Sequence, residues 1–387
     1  MRFLNHRVEV PTYAEDVVGK IGRWDERDIL FARSDLFEHF DADSAEFRAY
    51  YAAHPAYLEI DTKINAMPAL GRHGGVDCAM FEAQFGTLTR IGTEAFVDGE
   101  PASVKTPLSP GRAAEKVKAF ARLLGADLVG VGPLRQQWVY THVGRSREGV
   151  PGYLPRGTPI DLSRHKHAIA LGFAMDRRLV TCAPDFPVLL ASGEGYARGA
   201  WVSVQLAAYI RRLGYAARAH HFRNYQVLTV PVAVDCGLGE LSRAGYLLTK
   251  ELGLGVRLAV VTTELPLAHD RPLDIGVQSF CETCKICAEV CPVKAIPSGE
   301  KVVYNGVRKW VLDATKCYRY WHAVGTDCGL CMAACPWTKP PTFIHRVAAE
   351  LASVSGPHQR WMTWADKLIY GPHRPAPPPF FLGGDPA

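Results

Sequence analysis

Cys281-Glu-Thr-Cys284-Lys-Ile-Cys287-Ala-Glu-Val-Cys291-Pro292 opens the stretch that decides this fold, and Cys328-Gly-Leu-Cys331-Met-Ala-Ala-Cys335-Pro336 closes it, with Cys317 between them. Three cysteines at two-residue gaps followed by x-x-x-Cys-Pro form the bacterial ferredoxin pattern, in which the fourth cysteine ligates the other cluster. A compact loop aims three thiolates at one face of a cubane, and the fourth iron takes its ligand from elsewhere. On that logic Cys281, Cys284, Cys287 and Cys335 hold one 4Fe-4S cluster. Cys317, Cys328, Cys331 and Cys291 hold the second. Four-cysteine sets also bind zinc, but neither run divides into paired C-x-x-C sets without remainders. Disulfides, the third reading, belong chiefly to small secreted domains.

Working outward, the 387 residues are 48% hydrophobic, which suits two or three globular domains with cores that need no staples. Lys+Arg 44 against Asp+Glu 39 leaves a formal charge of +5, spread without blocks, so nucleic acid is not expected as a partner. No apolar run reaches membrane-spanning length, and no integral membrane segment is expected. The start, Met-Arg-Phe-Leu-Asn-His-Arg-Val, has neither a twin-arginine pair nor an apolar signal region. The expected location is the cytoplasm unless a leader has been removed.

Residues 1–110 show no catalytic motif and no clear periodicity, and are expected to form an irregular cover; His73, in a glycine-rich loop, is expected to be solvated or turn-forming. Regular structure is predicted from Ser109-Pro110, a cap followed by a first-turn proline, with a stripe of Val117, Phe120, Ala121 and Leu124 and a stop at Gly125. Strand-like text at 127–131, 167–175, 215–220 and 257–263 alternates with a helix predicted from about Gly195 to Leu213. That alternation argues for an α/β domain over 111–275. Within it, Asp235-Cys236-Gly237-Leu238-Gly239-Glu240 is a glycine turn that either brings backbone close to a bulky cofactor or joins a helix to a strand. The spacing leaves both open. Cys78, Cys182 and Cys236 read as buried structural residues. A two-cluster segment follows over 276–345. Residues 346–387 then supply two short helices and a tail rich in proline and glycine.

Five segments, "DERDILFAR", "SGEGYARGAW", "VDCGLGELSRAGYLL", "PLDIGVQSFCETCKICAEVCPVKAI" and "DCGLCMAACPWTKP", resemble the corrinoid- and iron-sulfur-dependent reductive dehalogenase family in content and order. The resemblance implies an α/β (α+β) fold: a nitroreductase-like cobalamin-binding domain fed by a ferredoxin-like segment with two 4Fe-4S clusters. The string Asp-x-His-x-x-Gly, which supplies a cobalt-ligating histidine elsewhere, is absent, as it is in this family. The implied reaction replaces the halogen of an organohalide by hydrogen. Motif by motif, the family's proton donor falls on Tyr196 and its basic partner on Arg257, while an asparagine of some members falls on Asn224 in "HHFRNYQ". Gly237, Gly239 and Tyr196 are the residues offered to the corrinoid. Tyr196 is expected in the first turn of its helix, where the dipole and an arginine strengthen a phenol as an acid. The competing reading is a packing tyrosine with a satisfied hydroxyl, and Arg257 could equally be a surface ion pair. The twin-arginine leader of respiratory members and the C-terminal reductase module of catabolic ones are not seen. That implies a separate low-potential donor such as ferredoxin or flavodoxin. Alternatives are an epoxyqueuosine reductase acting on tRNA and a non-catalytic iron-sulfur electron carrier.

Overall fold

The computed structural model describes residues 6–68, 70–71, 75–146, 150–379 and 381–382; His73 lies outside the described residues. The first hundred residues are mainly helical: α1 (Leu30–His39), α2 (Ala45–Ala53), α3 (Pro55–Asn65), α4 (Gly75–Ile91) and α5 (Glu94–Val97). This corrects the expectation of an irregular cover, and the reason is what the helices bury. The inward residues of α1 are Ala32, Arg33, Ser34, Asp35 and Leu36. Arg33 pairs with Asp61 of α3 at 3.0 Å with both side chains 4% exposed. Asp35 pairs with Arg145 at 3.1 Å. Buried ion pairs hide the apolar period on which sequence reading depends.

From Ser109 the sequence rules hold. The Ser109 hydroxyl accepts from the Arg112 amide at 3.4 Å, opening α6 (Pro110–Leu123), which buries Ala113, Ala114, Val117 and Ala121. The chain then turns at Gly125, where φ is +108° and glycine is the natural residue. The central strands are β1 (Leu128–Pro133), β2 (His167–Ala174) and β3 (Ala217–His220), followed by the hairpin β4 (Glu240–Leu241) and β5 (Leu247–Leu248) and then β6 (Val256–Thr263). The four-stranded sheet runs β1-β2-β6-β3, and each pairing is antiparallel, with Ile169 opposite both Val131 and Val261. The architecture is therefore the α+β form of the expected class.

Side chains alternate across β2. Ile169, Leu171 and Phe173 join Val129, Val131, Ala259 and Val261 beneath α6 and the long helix α8 (Pro187–Arg212), which follows the short α7 (Arg177–Val180). Ala168, Ala170 and Val260 face α9 (Thr229–Asp235) on the other side. With both faces covered, the strand reads as one continuous apolar run.

Helix α8 begins at Pro187, not near Gly195, so Tyr196 lies about two and a half turns inside it. Glycine is disfavoured in helix interiors, which is why the sequence places the start too late. A Cβ on Gly193 would lie 2.2 Å from Gln84 Oε1 of α4, and one on Gly195 would lie 2.8 Å from Arg257 Cγ of β6. The glycines sit where α8 crosses its neighbours.

The cysteine-rich segment comprises α10 (Val277–Cys284), α11 (Ile286–Val290), β7 (Val302–Tyr304), β8 (Val307–Lys309), α12 (Ala314–Val324) and α13 (Leu330–Ala333). Its apolar residues, among them Phe280, Ile286, Met332 and Trp337, form a core of their own together with Leu248 and Leu254. Two helices follow as predicted, α14 (Phe343–Ala352) and α15 (His358–Tyr370). Among the described residues no helix is long and apolar enough to cross a membrane.

Candidate active site and cluster-binding cysteines

Cys281, Cys284, Cys287 and Cys335 line one small cavity, together with Arg243, Phe280 and Trp337. The first three come from α10 and the start of α11; the fourth arrives from the far end of the segment. Lys285, between the two helices, adopts φ 55° and redirects the chain so that Cys287 faces back toward Cys281 and Cys284. The remaining four thiols lie near one another: burial raises the pKa of Cys317 and of Cys331, and Cys291 and Cys328 add to both rises. Cys287 of the first group also lies near Cys331, so the structure gathers the eight cysteines into two adjoining neighbourhoods.

Among the described residues no three His, Cys, Asp or Glu side chains are gathered so as to hold a metal ion. Cys281, Cys284, Cys287 and Cys335 instead share the lining of one cavity. That arrangement suits a four-iron cluster better than zinc, whose sulfurs all lie about 2.3 Å from one ion. Burial is the main cause that pushes Cys284 up to about 12 and Cys287 up to about 11. Cys317 rises to about 12 and Cys328 to about 11 for the same reason. Thiols this reluctant to ionise become thiolates on binding a cation, so iron uptake releases protons.

Arg243 was not singled out by sequence. It is almost fully buried, its Nε donates to the Cys281 carbonyl at 2.8 Å, and its guanidinium lies 4.3 Å over the Trp310 ring. It places a fixed positive charge beside the first set of thiols and lowers the pKa of Cys287.

Tyr196 and Arg257 meet between α8 and β6. The Arg257 guanidinium carbon lies 5.2 Å over the Tyr196 ring centroid, and the Phe222 ring stacks against the same ring at 4.6 Å. Among the described residues the Tyr196 hydroxyl has no hydrogen-bond partner. Arg257 is not a surface ion pair: its side chain is 13% exposed and it faces Asp327 at 3.4 Å. Its Nη2 donates to the Ser192 hydroxyl, which in turn donates to the same Asp327 carboxylate. Burial raises the Asp327 pKa, and Arg257 and Ser192 oppose that rise. Because Asp327 directly precedes Cys328, this triad ties the Tyr196 site to the second set of thiols. Arg257 Nε is buried with no partner, so a ligand with a polar edge would complete both it and the tyrosine.

Two further tyrosines, missed in the sequence, complete the site. Tyr246 packs against the cysteine core and lies near enough to Cys317, Cys331, Arg257 and Asp327 to feel their charges. It bridges thiols and arginine. Tyr225 donates to the Leu258 carbonyl at 3.3 Å and couples to Tyr196. Beyond Phe222 the Arg145 guanidinium lies 5.1 Å from its ring and 5.2 Å from that of Phe31 in α1. The wall therefore extends into the N-terminal helices. The signal for Tyr246 was its presence inside "VDCGLGELSRAGYLL" and for Phe31 inside "DERDILFAR", whereas Tyr225 and Arg145 lie outside the five segments.

Asn224 is placed differently. Its amide donates to the Gly92 carbonyl at 2.9 Å and to Glu94 at 2.8 Å, and its oxygen accepts from Arg218 at 2.8 Å. Both donors are used within the protein. It buttresses the loop that carries Phe222. At Gly237 and Gly239 the direction in which a side chain would point is taken by the protein's own backbone. A Cβ on Gly237 would lie 2.4 Å from the Arg271 carbonyl oxygen, and one on Gly239 would lie 2.1 Å from that of Leu248. Close packing of the chain against itself thus accounts for both glycines.

With this geometry in place, comparison with known proteins is decisive. A family model described as a 4Fe-4S dicluster domain matches residues 280–339. Tetrachloroethene reductive dehalogenase of Sulfurospirillum multivorans is 34% identical over 294 residues, covering 67% of this chain and 56% of that protein. The chain belongs to the reductive dehalogenase family. The family's enzyme of the same description from Dehalobacter restrictus is 32% identical over 299 residues, covering 66% of this chain and 54% of that protein. This chain spans about half the length of the curated relatives it matches. Among solved family structures, a variant of the catabolic reductive dehalogenase NpRdhA is 27% identical with a TM-score of 0.77, covering 95% of this chain and 49% of that one. Another, described as suggesting a mechanism for B12-dependent dehalogenation, is 27% identical with a TM-score of 0.74 and covers 94% of this chain and 48% of that one.

Proposed function

We propose that this chain is a reductive dehalogenase that converts an organohalide R-X, two electrons and a proton into R-H and halide. The observation that carries the reading is Tyr196, an unbonded hydroxyl on a ring that contacts both the Phe222 ring and the Arg257 guanidinium. When bound, a corrinoid would supply low-valent cobalt for reduction of the carbon-halogen bond, and two 4Fe-4S clusters would supply its electrons one at a time. Cys281, Cys284, Cys287 and Cys335 hold one cluster; Cys317, Cys328, Cys331 and Cys291 hold the other. Tyr196 donates the proton to carbon as halide departs. Arg257 stabilises the phenolate left behind, and it can do so because Asp327 and Ser192 fix its orientation. The helix dipole has no part in this, since Tyr196 lies inside α8.

The donor is a separate low-potential ferredoxin or flavodoxin, and the location is cytoplasmic, which fractionation of the native host tests. For the activity itself, protein reconstituted anaerobically with iron, sulfide and cobalamin is assayed for halide release from chloro- and bromoaromatics and chloroethenes. Halide release is expected. Reduction of epoxyqueuosine in tRNA, or cluster reduction without either product, would replace this reading with one of its rivals.

A further inference from the structure

Helix α15 is turned inside out. Its buried residues are Gln359 and Thr363, while Trp361 and Trp364, at helical spacing on the outward side, are 70% and 57% exposed. Leu368 and Ile369 continue that face at 68% and 72% exposed. The His345–Tyr370 contact at 2.5 Å joins the end of α15 to the start of α14, where Phe343 and Ile344 are 76% and 75% exposed. Proteins rarely leave so many large apolar side chains together in water without a partner for them.

The inward face explains what that partner exchanges. Gln359 donates to the Ser279 hydroxyl of α10 at 3.1 Å, and Met362 packs against the apolar core that contains Cys284. The exposed tryptophans are therefore separated from a cluster cysteine by one helix, a thickness of about 10–12 Å. Charge narrows the partner further. The two carboxylates of this region are occupied, Glu350 by Lys250 and His6 and Asp366 by Lys339. Arg346 and Arg360 are exposed and make no ion pair among the described residues. An apolar centre with a basic rim complements an acidic protein.

We propose that the outward face of α14 and α15 is the docking surface for a small acidic electron-carrier protein that reduces the cluster held by Cys281, Cys284, Cys287 and Cys335. The inference rests on the reading that these cysteines hold a 4Fe-4S cluster. In each encounter one electron leaves the reduced carrier and enters that cluster; no bond or proton is exchanged.

The test uses the full reconstituted chain and an acidic bacterial ferredoxin, reduced with dithionite and freed of excess reductant. Cluster reduction is followed by stopped-flow absorbance, and ferredoxin binding by isothermal titration. Arg346→Glu with Arg360→Glu should weaken ferredoxin binding and slow its electron transfer about tenfold or more and flatten the salt dependence. Trp361→Glu with Trp364→Glu should remove saturable binding. Reduction by methyl viologen radical, too small to need a docking face, should stay at the wild-type rate in both. Unchanged ferredoxin kinetics in both variants would overturn the proposal. An equal loss with methyl viologen would overturn it too, since the face then serves the cluster fold. A dimer, or binding to anionic vesicles, that the tryptophan variant abolishes while ferredoxin kinetics persist would assign the face to another occupant. Because cluster reduction is read and not halide, ferredoxin dependence without dehalogenation removes the proposed activity and leaves the docking site standing.

Discussion

Tyr196 and Arg257 stand far apart in sequence and meet because an arginine near the start of strand β6 lies against a helix that carries a glycine there. If Tyr196 is the acid, Tyr196→Phe should slow turnover by about 10²- to 10⁴-fold, with iron and corrinoid content unchanged. Arg257→Leu should act in the same direction and non-additively with it. It should also destabilise the protein, because Asp327 is left buried without its cation, a loss of roughly 3–5 kcal/mol. Arg257→Lys separates the two effects: the charge beside Asp327 returns, so melting temperature recovers further than turnover, which needs the guanidinium over the ring. A wild-type rate for Tyr196→Phe, with chemistry rate-limiting, would make Tyr196 a packing residue. Glu26 yields a pH prediction. It is buried, its carboxylate accepts from the Gly144 and Arg145 amides, and burial raises its pKa from 4.5 to about 7. The folded protein then binds a proton that the unfolded chain has released, so stability falls as pH rises through that window and levels off above it. At about 1.4 kcal/mol per pKa unit, the effect is on the order of 3 kcal/mol. Melting temperatures measured across this range should decline in the wild type and stay flatter in Glu26→Gln.

Helix α8 and the cysteine helices matter as elements because each is fixed by contacts from elsewhere. Gly195 permits α8 to lie against Arg257, and an added Cβ would meet the base of that side chain at 2.8 Å. Gly195→Ala should therefore lower turnover by displacing the arginine, although alanine favours the helix itself by about 1 kcal/mol. An unaltered rate would mean that Arg257 need not sit where it does. Helix α11 ends at Cys291, whose neighbours include Cys317, Cys328 and Cys331 and not only its own run. Cys291→Ser should thus damage the second cluster more than the first, and Cys335→Ser the reverse. EPR of the reduced variants distinguishes the two signals, and equal loss of both in either variant would count against crossed ligation.

For the molecule as a whole, the cores are separate. The sheet is packed between α6 with α8 and α9, whereas the cysteines belong to a different apolar cluster with Phe280, Trp310 and Trp337. Metal binding and folding are coupled where buried ligands have no other partner. Intact protein should hold about eight irons, and their removal should raise hydrogen exchange in α10, α11 and α13 while the four-stranded sheet stays protected. Uniform loss of protection would show one cooperative unit instead of two. The triad of Ser192, Arg257 and Asp327 spans these parts, so its exchange behaviour should follow the cysteine segment.

Sequence alone determined where the cysteine-rich segment lies, the four main strands, helix α6 and the two late helices. These are local matters: spacing, caps, period and turn residues act within a few positions. It also placed Tyr196 and Arg257, through motifs that stand in a familiar order. What it could not reach were features made by distant contact. The N-terminal helices bury Arg33 against Asp61 and Arg145 against Asp35, and a buried ion pair carries no apolar period. The early start of α8 is hidden by glycines whose purpose is close packing. Gly237 and Gly239 resemble a cofactor turn by their spacing, but the atoms that fill the space beside them come from Arg271 and Leu248. Asp327, Ser192, Tyr246 and Arg243 acquire their roles only from the chains packed around them, because charge and burial are properties of neighbours in space, and neighbours in space are what tertiary structure decides.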